Sequence, residues 1–126
     1  MARRHTYLIT HTLSGAVLPF ELSAEDAALR ERATTAKSGR TARTLIKEGR
    51  LRVTIIVMRK GAVLGAHQVE GAVNIHILRG RARVSAAGAS TDLASGGLLV
   101  LQEEVPHTAE ALSDCALLVT VAMSAH

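Results

Sequence analysis

The chain of 126 residues is 48% hydrophobic and 21% charged, so it suits one domain with one core and is too short for two ordinary domains. Cys115 is the only cysteine, which excludes an intramolecular disulfide and a cysteine-cluster zinc site. The net charge is +4, and residues 1–60 hold twelve of the fifteen Lys and Arg. These basic residues are spread singly along the chain, with almost no aromatic residue between them. We therefore expect a solvated strand face and no nucleic-acid partner.

The N-terminal forty residues predict an arm followed by a helix. The short apolar runs Tyr7–Ile9 and Ala16–Leu18 indicate an extended arm or a pair of edge strands. Ser23 then precedes acidic residues and an alanine-rich stretch, which predicts an N-capped helix over residues 24–36. Its apolar face is thin, so we expect a peripheral helix that lies against the rest of the domain or a neighbouring subunit.

From residue 41 onward, short β-rich runs are broken by glycine every eight to twelve residues. This pattern is typical of an all-β sandwich or barrel, and no alternation of strands and helices indicates a parallel nucleotide-binding sheet. We divide the single domain into an N-terminal arm and helix, residues 1–40, and a β-barrel, residues 41–126. The predicted strands are Thr41–Lys47, Leu51–Arg59, Val63–Val69, Val73–Leu78, Arg81–Ala86, Leu98–Leu101, His107–Ala111 and Ala116–Met123.

Two glycine and histidine spacings lie within this β region. Gly61 is followed by His67 and, thirteen residues after the histidine, by Gly80; Gly96 is followed eleven residues later by His107. These spacings resemble the two motifs of the cupin superfamily. The stretch Ile75–Gly80, together with residues 105–111, looks more like the small stand-alone bacterial members of that superfamily. The resemblance covers about residues 41–123. It implies a mainly β fold, the double-stranded β-helix or jelly-roll barrel, here with an N-terminal arm and one short helix.

The family's metal-binding motifs are only half present. His67 and His107 match two histidine ligands of the family, whereas Val69 and Val73 stand where the second histidine and the glutamate would be. In the second motif, Gln102, Glu104 and Ala111 replace the proline, glycine and asparagine. The usual centre of three histidines and one glutamate therefore lacks two of its four ligands.

A metal site would need a third ligand, because catalytic sites for Zn, Cu, Ni or Fe typically use three protein ligands and an open position. His76 is the leading candidate. If Val73 faces the barrel interior, strict strand alternation turns His76 away from it, and a β-bulge or a one-residue register shift would turn His76 inward. Glu70, Glu103 and Glu104 lie near the motif loops and offer oxygen ligands. The sequence leaves both the metal and its third ligand open.

Two functions of different classes remain open. In the first, His67, His107 and His76 hold a divalent transition metal, and the protein is a metal-dependent enzyme acting on a small molecule. In the second, the same barrel mouth binds a small ligand without metal, in a non-catalytic or sensory role. Both place an aliphatic pocket beside the histidines, formed by Val57, Val69, Val73 and Ile75. No residue is assigned a catalytic role.

Two further expectations concern surfaces. Many cupins pair through N-terminal arms, so the resemblance implies a homodimer, for which the runs around Leu8, Val17 and Leu45 offer apolar edges. Arg79, Arg81 and Arg83 occupy alternate positions, which predicts a basic stripe on one strand face.

No apolar run approaches the ~18–20 residues that span a bilayer, and no apolar stretch of export length follows Met1. We therefore expect a cytoplasmic protein without a membrane partner.

Overall fold

A computed structural model of the chain describes residues 16–67 and 69–124, with the side chains of Ala66 and His67 left out. Within these residues the helix α1 spans Leu22–Thr35. The strands are β1 (Arg40–Glu48), β2 (Leu51–Met58), β3 (Val63–His67), β4 (Gly71–Arg79), β5 (Arg81–Ala86), β6 (Ala89–Ala94), β7 (Leu98–Leu101), β8 (His107–Ala111) and β9 (Cys115–Met123). The mainly β class with one helix is therefore confirmed.

The strands form two antiparallel sheets. The five-stranded sheet has the order β1-β2-β9-β4-β7, and the four-stranded sheet has the order β3-β8-β5-β6. Consecutive strands repeatedly change sheet, as in the jelly roll expected for this chain. A core cluster draws on both sheets, for example Ile75 and Ile77 of β4 with Val84 of β5, so the sheets pack face to face around it.

Strand β6 is the element that the sequence did not predict. Its residues, Ala-Ser-Thr-Asp-Leu-Ala, are mostly exposed and weak in β propensity. It pairs with β5 in unbroken register from Arg81↔Ala94 to Ala86↔Ala89. The connecting residues Ala87 and Gly88 both have positive φ, 52° and 78°, as a two-residue type I′ hairpin requires. Pairing with a core strand therefore makes this segment a strand despite its composition.

Helix α1 covers the outer face of the five-stranded sheet. Leu29 and Ala33 pack against Leu45, Ile55 and Val57 in a second, smaller core cluster. Glu21 is the N-cap residue of α1, and its side chain makes no capping hydrogen bond. Ser23 lies inside the helix, so the prediction of Ser23 as N-cap is wrong. The apolar run at Leu45, expected to offer an open edge to a second subunit, is buried under this helix.

Two carboxylates of the first helical turns share the buried face of α1. Glu25 is fully buried, with Oε1 lying 3.6 Å from Nε of Arg43. Asp26 accepts two hydrogen bonds from Arg79, at 2.8 and 2.9 Å. The hydrogen bonds that Arg79 donates to Asp26 are the main reason that the pKa of Arg79 is raised. Charge pairs therefore complete the contact between α1 and the sheet where its apolar stripe is short.

The predicted basic stripe is wrong. Gly80, with φ of 77°, turns the chain between β4 and β5, so Arg79 and Arg81 belong to different sheets. Arg79 binds Asp26, whereas Arg83 donates to Asp92 across the β5–β6 hairpin at 2.7 and 3.1 Å. Strand alternation does not extend across a turn with positive φ.

Cys115 is fully buried in the main core cluster, and this burial raises the pKa of its thiol from 9.0 to about 11. The unfolded chain then releases the thiol proton at lower pH than the folded chain, so stability that is complete below pH 9 falls as the pH rises toward 11. We expect wild type to lose more stability than Cys115→Ala between pH 9 and 11 in denaturant titrations. Equal losses in the two proteins would contradict this assignment.

No helix among the described residues is long and apolar enough to cross a membrane.

Candidate functional site

A cavity of about 370 Å³ lies between the two sheets, which we call the barrel cavity. Of the residues that the structure describes, two with polar side chains line it, Arg40 and His107. The other described lining residues are aliphatic and come from β1, β2, β3, β4, β8, β9 and the loop after β3: Ala42, Ile56, Leu64, Val69, Val73, Ile75, Ala109, Leu117, Val119 and Val121. Cavities of this size, mostly apolar and with few convergent polar groups, are typical of small-molecule sites.

His107 is the first residue of β8 and is half-buried at the cavity. Its Nδ1 lies 3.2 Å from the carbonyl oxygen of Val105. Because a carbonyl only accepts, Nδ1 carries the proton, and in the neutral ring Nε2 has the lone pair. His67 is the direct register partner of His107 across the β3–β8 ladder, after a bulge that follows Leu64. The backbone therefore sets the two motif histidines opposite each other.

Three of the four predicted pocket residues, Val69, Val73 and Ile75, line the barrel cavity. The fourth does not, so the prediction for Val57 is wrong. Val57 is buried in the cluster under α1, on the outer face of β2, whereas its neighbour Ile56 lines the cavity. Both faces of β2 are covered, and its apolar residues are continuous along the strand. The sequence therefore does not indicate which set of alternate residues faces the cavity.

His76 lies on the opposite side of β4 from the barrel cavity. Val73, Ile75 and Ile77 are buried in the main core cluster, and the positions between them, including His76, are half-buried. The regular β4–β9 register from Gly71 to Ile77 contains no bulge that would reverse this alternation. The prediction of His76 as a metal ligand beside His107 is therefore wrong.

Arg40 is the lining residue that the sequence reasoning missed. It opens β1, where the prediction assigned it to a solvated basic face. Its half-buried side chain lines the cavity, and Nη1 donates to the carbonyl oxygen of Val63 at 3.0 Å. No sequence signal separates Arg40 from the other arginines of β1 and β2, because its role depends on the packing of the first strand across the cavity mouth.

Several solved structures share this architecture. A conserved protein of unknown function from Streptococcus pyogenes superposes with a TM-score of 0.71 at 21% identity, covering 93% of this chain and 96% of the other. A cupin superfamily protein from Desulfitobacterium hafniense gives a TM-score of 0.65 at 15% identity, covering 68% and 78%. The chain has the cupin fold. At these identities the similarity concerns the fold alone.

A salicylate 1,2-dioxygenase from Pseudoaminobacter salicylatoxidans contains the same cupin architecture, with a TM-score of 0.72 at 18% identity. The alignment covers 82% of this chain but 32% of the dioxygenase, so this chain corresponds to about a third of that protein. No protein-family model matches the sequence, and no curated protein matches it.

Glu104, in the loop after β7, has a left-handed backbone conformation although it is not glycine. Glu104 stands where the family pattern has glycine, and it has a φ of 64°, a conformation that favours glycine. Its backbone N–H donates to the carbonyl oxygen of Val69 at 2.9 Å, which joins the loop after β7 to the loop after β3. The left-handed conformation of Glu104 therefore accompanies a contact between these two loops.

The donors at the barrel cavity do not fit the cupin centre of three histidines and one glutamate. The candidate carboxylates Glu70, Glu103 and Glu104 are exposed and none lines the cavity. Glu103 instead accepts a hydrogen bond of 2.6 Å from the Ser124 hydroxyl. Among the side chains that the structure describes, no three His, Cys, Asp or Glu residues form a group able to hold a metal ion.

The charge at the cavity also disfavours a metal centre. Arg40 places a guanidinium in the lining, and its positive charge repels a divalent cation. Within the described part of the chain His76 lies on the other face of β4, which leaves His67 and His107 as the histidines at this site, fewer than the three ligands that a catalytic site typically uses. The described residues therefore do not fit the metal centre that the motifs imply.

Proposed function

We propose that this protein binds a small molecule in its barrel cavity, without a metal ion held by three of its own side chains. One observation carries the proposal: a cavity of about 370 Å³ whose described lining residues are aliphatic except for Arg40 and His107. A volume near the low end of known ligand pockets, about 300–1,000 Å³, suits a compact ligand. Ten aliphatic side chains would bury its body, and the two polar ones would orient it.

A metal-dependent enzyme is the second candidate. His67 and His107 are directly opposite each other in the β3–β8 ladder, which favours this candidate, since the two residues match two ligand positions of the cupin motifs. The exposed carboxylates and the Arg40 charge disfavour it. The two candidates differ in one measurable respect, because a chelator removes binding in the second and leaves it unchanged in the first.

Binding is tested with hexan-1-ol, a compact probe with an aliphatic body, on protein treated with a chelator. We expect the melting temperature to rise with probe concentration, since a ligand that binds only the folded state stabilises it by mass action. Val121→Phe places a ring at a half-buried lining position and is expected to weaken hexan-1-ol at least about tenfold in calorimetric titration.

Thr120→Phe is the matched control, because it adds the same ring to the same strand at the neighbouring position, which does not line the cavity. It is expected to bind hexan-1-ol like wild type. Equal binding by wild type and Val121→Phe would remove the barrel cavity as the site. Binding that disappears on chelation would replace the proposal with the metal-dependent enzyme.

The homodimer stays a prediction and part of the proposal. Of the apolar runs that suggested it, Leu8 lies outside the described residues and Leu45 is buried under α1, while Val17 is exposed. Support now comes from the edge strand β7, whose Leu98 and Val100 are 57% and 66% exposed. The cytoplasmic location also remains a prediction.

A further inference from the structure

Arg40 differs from three other strand arginines, each of which has an acidic partner. Arg43 lies beside Glu25, Arg79 binds Asp26, and Arg83 binds Asp92. Arg40 has no acidic partner among the side chains that the structure describes, and its Nη1 donates to the neutral Val63 carbonyl. Its positive charge at the cavity is therefore not balanced within the described part of the chain.

The environment of Arg40 strengthens its interaction with an anion. Among the described residues of the lining there is no acidic side chain, and ten of these twelve residues are aliphatic. In such surroundings the effective dielectric constant is lower than in water, so a cation and an anion attract more strongly. A guanidinium has five N–H donors in a planar fork, and the bond to Val63 uses Nη1 alone.

We infer that the ligand of the barrel cavity is a small aliphatic carboxylate, whose carboxylate group binds Arg40 and whose body contacts the aliphatic lining. This inference rests on the proposed function. The planar fork of arginine matches a carboxylate, with two parallel N–H···O bonds. No aromatic side chain other than His107 is present among the described residues of the lining, which favours an aliphatic over a planar aromatic body.

The class of head group is tested with three probes of one chain length: hexanoate, hexan-1-ol and hexylammonium. We expect wild type to bind hexanoate about 10- to 100-fold more tightly than hexan-1-ol in calorimetric titrations at neutral pH, as hydrogen bonds to a charged group imply. Hexylammonium should bind most weakly, because Arg40 repels it. Arg40→Met should remove the preference for hexanoate, so that hexanoate binds no more tightly than hexan-1-ol to this variant.

Arg52→Met is the matched control. Arg52 is also half-buried, its Nη1 also donates to backbone carbonyls, those of Gly49 and Leu51, and it does not line the cavity. Both variants lose one positive charge, so a general electrostatic effect would weaken hexanoate equally in both. We expect Arg52→Met to keep the wild-type preference for hexanoate. Arg40→Lys keeps the positive charge but loses the planar guanidinium, and we expect it to keep part of that preference.

The outcomes separate this inference from the proposed function. If hexan-1-ol and hexanoate bind equally well to wild type, or if Arg40→Met retains the preference, the carboxylate inference is wrong and the cavity remains a binding site. If no probe binds to the wild-type cavity, the proposed function itself is wrong. A hexanoate preference lost in Arg40→Met and kept in Arg52→Met supports both.

Discussion

Glu25→Ala is expected to lower the free energy of unfolding by about 3–5 kcal/mol, the loss typical when one partner of a buried ion pair is removed. Glu25 is fully buried, and the side chain of Arg43 beside it is 9% exposed. Without the carboxylate, Arg43 keeps a charge in a site that water hardly reaches. Denaturant titration monitored by circular dichroism measures the loss.

Two controls define the source of this loss. Glu31→Ala changes an exposed acid on the same helix and is expected to alter stability by less than about 0.5 kcal/mol. Replacing both partners with apolar residues, Glu25→Leu with Arg43→Met, should recover much of the loss, since a buried pair is often replaceable by well-packed apolar side chains. A loss below about 1 kcal/mol for Glu25→Ala would show that the pair contributes little to holding α1 on the sheet.

The position of helix α1 could be predicted from the sequence, but its buried face could not. The predicted range of 24–36 lies within two residues of the observed helix, Leu22–Thr35. The residues at its contact with the sheet are Glu25, Asp26, Leu29 and Ala33, one stripe in which half the members are acids. An acidic residue in a helical pattern normally indicates a solvent-exposed position. Glu25 and Asp26 are buried because they pair with arginines of β1 and β4, which are distant in sequence.

The candidate site was predictable to the extent that strand alternation was clear. Val73 and Ile75 lie on β4, where buried and half-buried residues alternate, and both line the cavity. Val57 lies on β2, where apolar residues are continuous, and its parity was assigned wrongly. Arg40 was missed because a charged residue at a strand start normally faces solvent. Its contact with the cavity depends on tertiary packing that no local pattern encodes.

Gly80→Ala is expected to lower the free energy of unfolding by about 2–5 kcal/mol, from two separate causes. Gly80 has a φ of +77°, which costs a residue with a Cβ about 1–2 kcal/mol. A Cβ there would also meet the carbonyl oxygen of Asp114 and lie 2.9 Å from Cβ of Cys115. Relieving such contacts in a packed core typically costs about 1–3 kcal/mol more.

Gly88→Ala separates the two causes because it shares one of them. Its φ of +78° matches that of Gly80, yet a Cβ at Gly88 would meet nothing within 4 Å. We expect Gly88→Ala to lose only the conformational part, about 1–2 kcal/mol. The excess loss in Gly80→Ala then measures the close approach of the β4–β5 turn to Asp114 and Cys115. Equal losses at the two positions would mean that the motif glycine is required for its backbone conformation alone, and that the turn can move away from the β8–β9 connection without further loss.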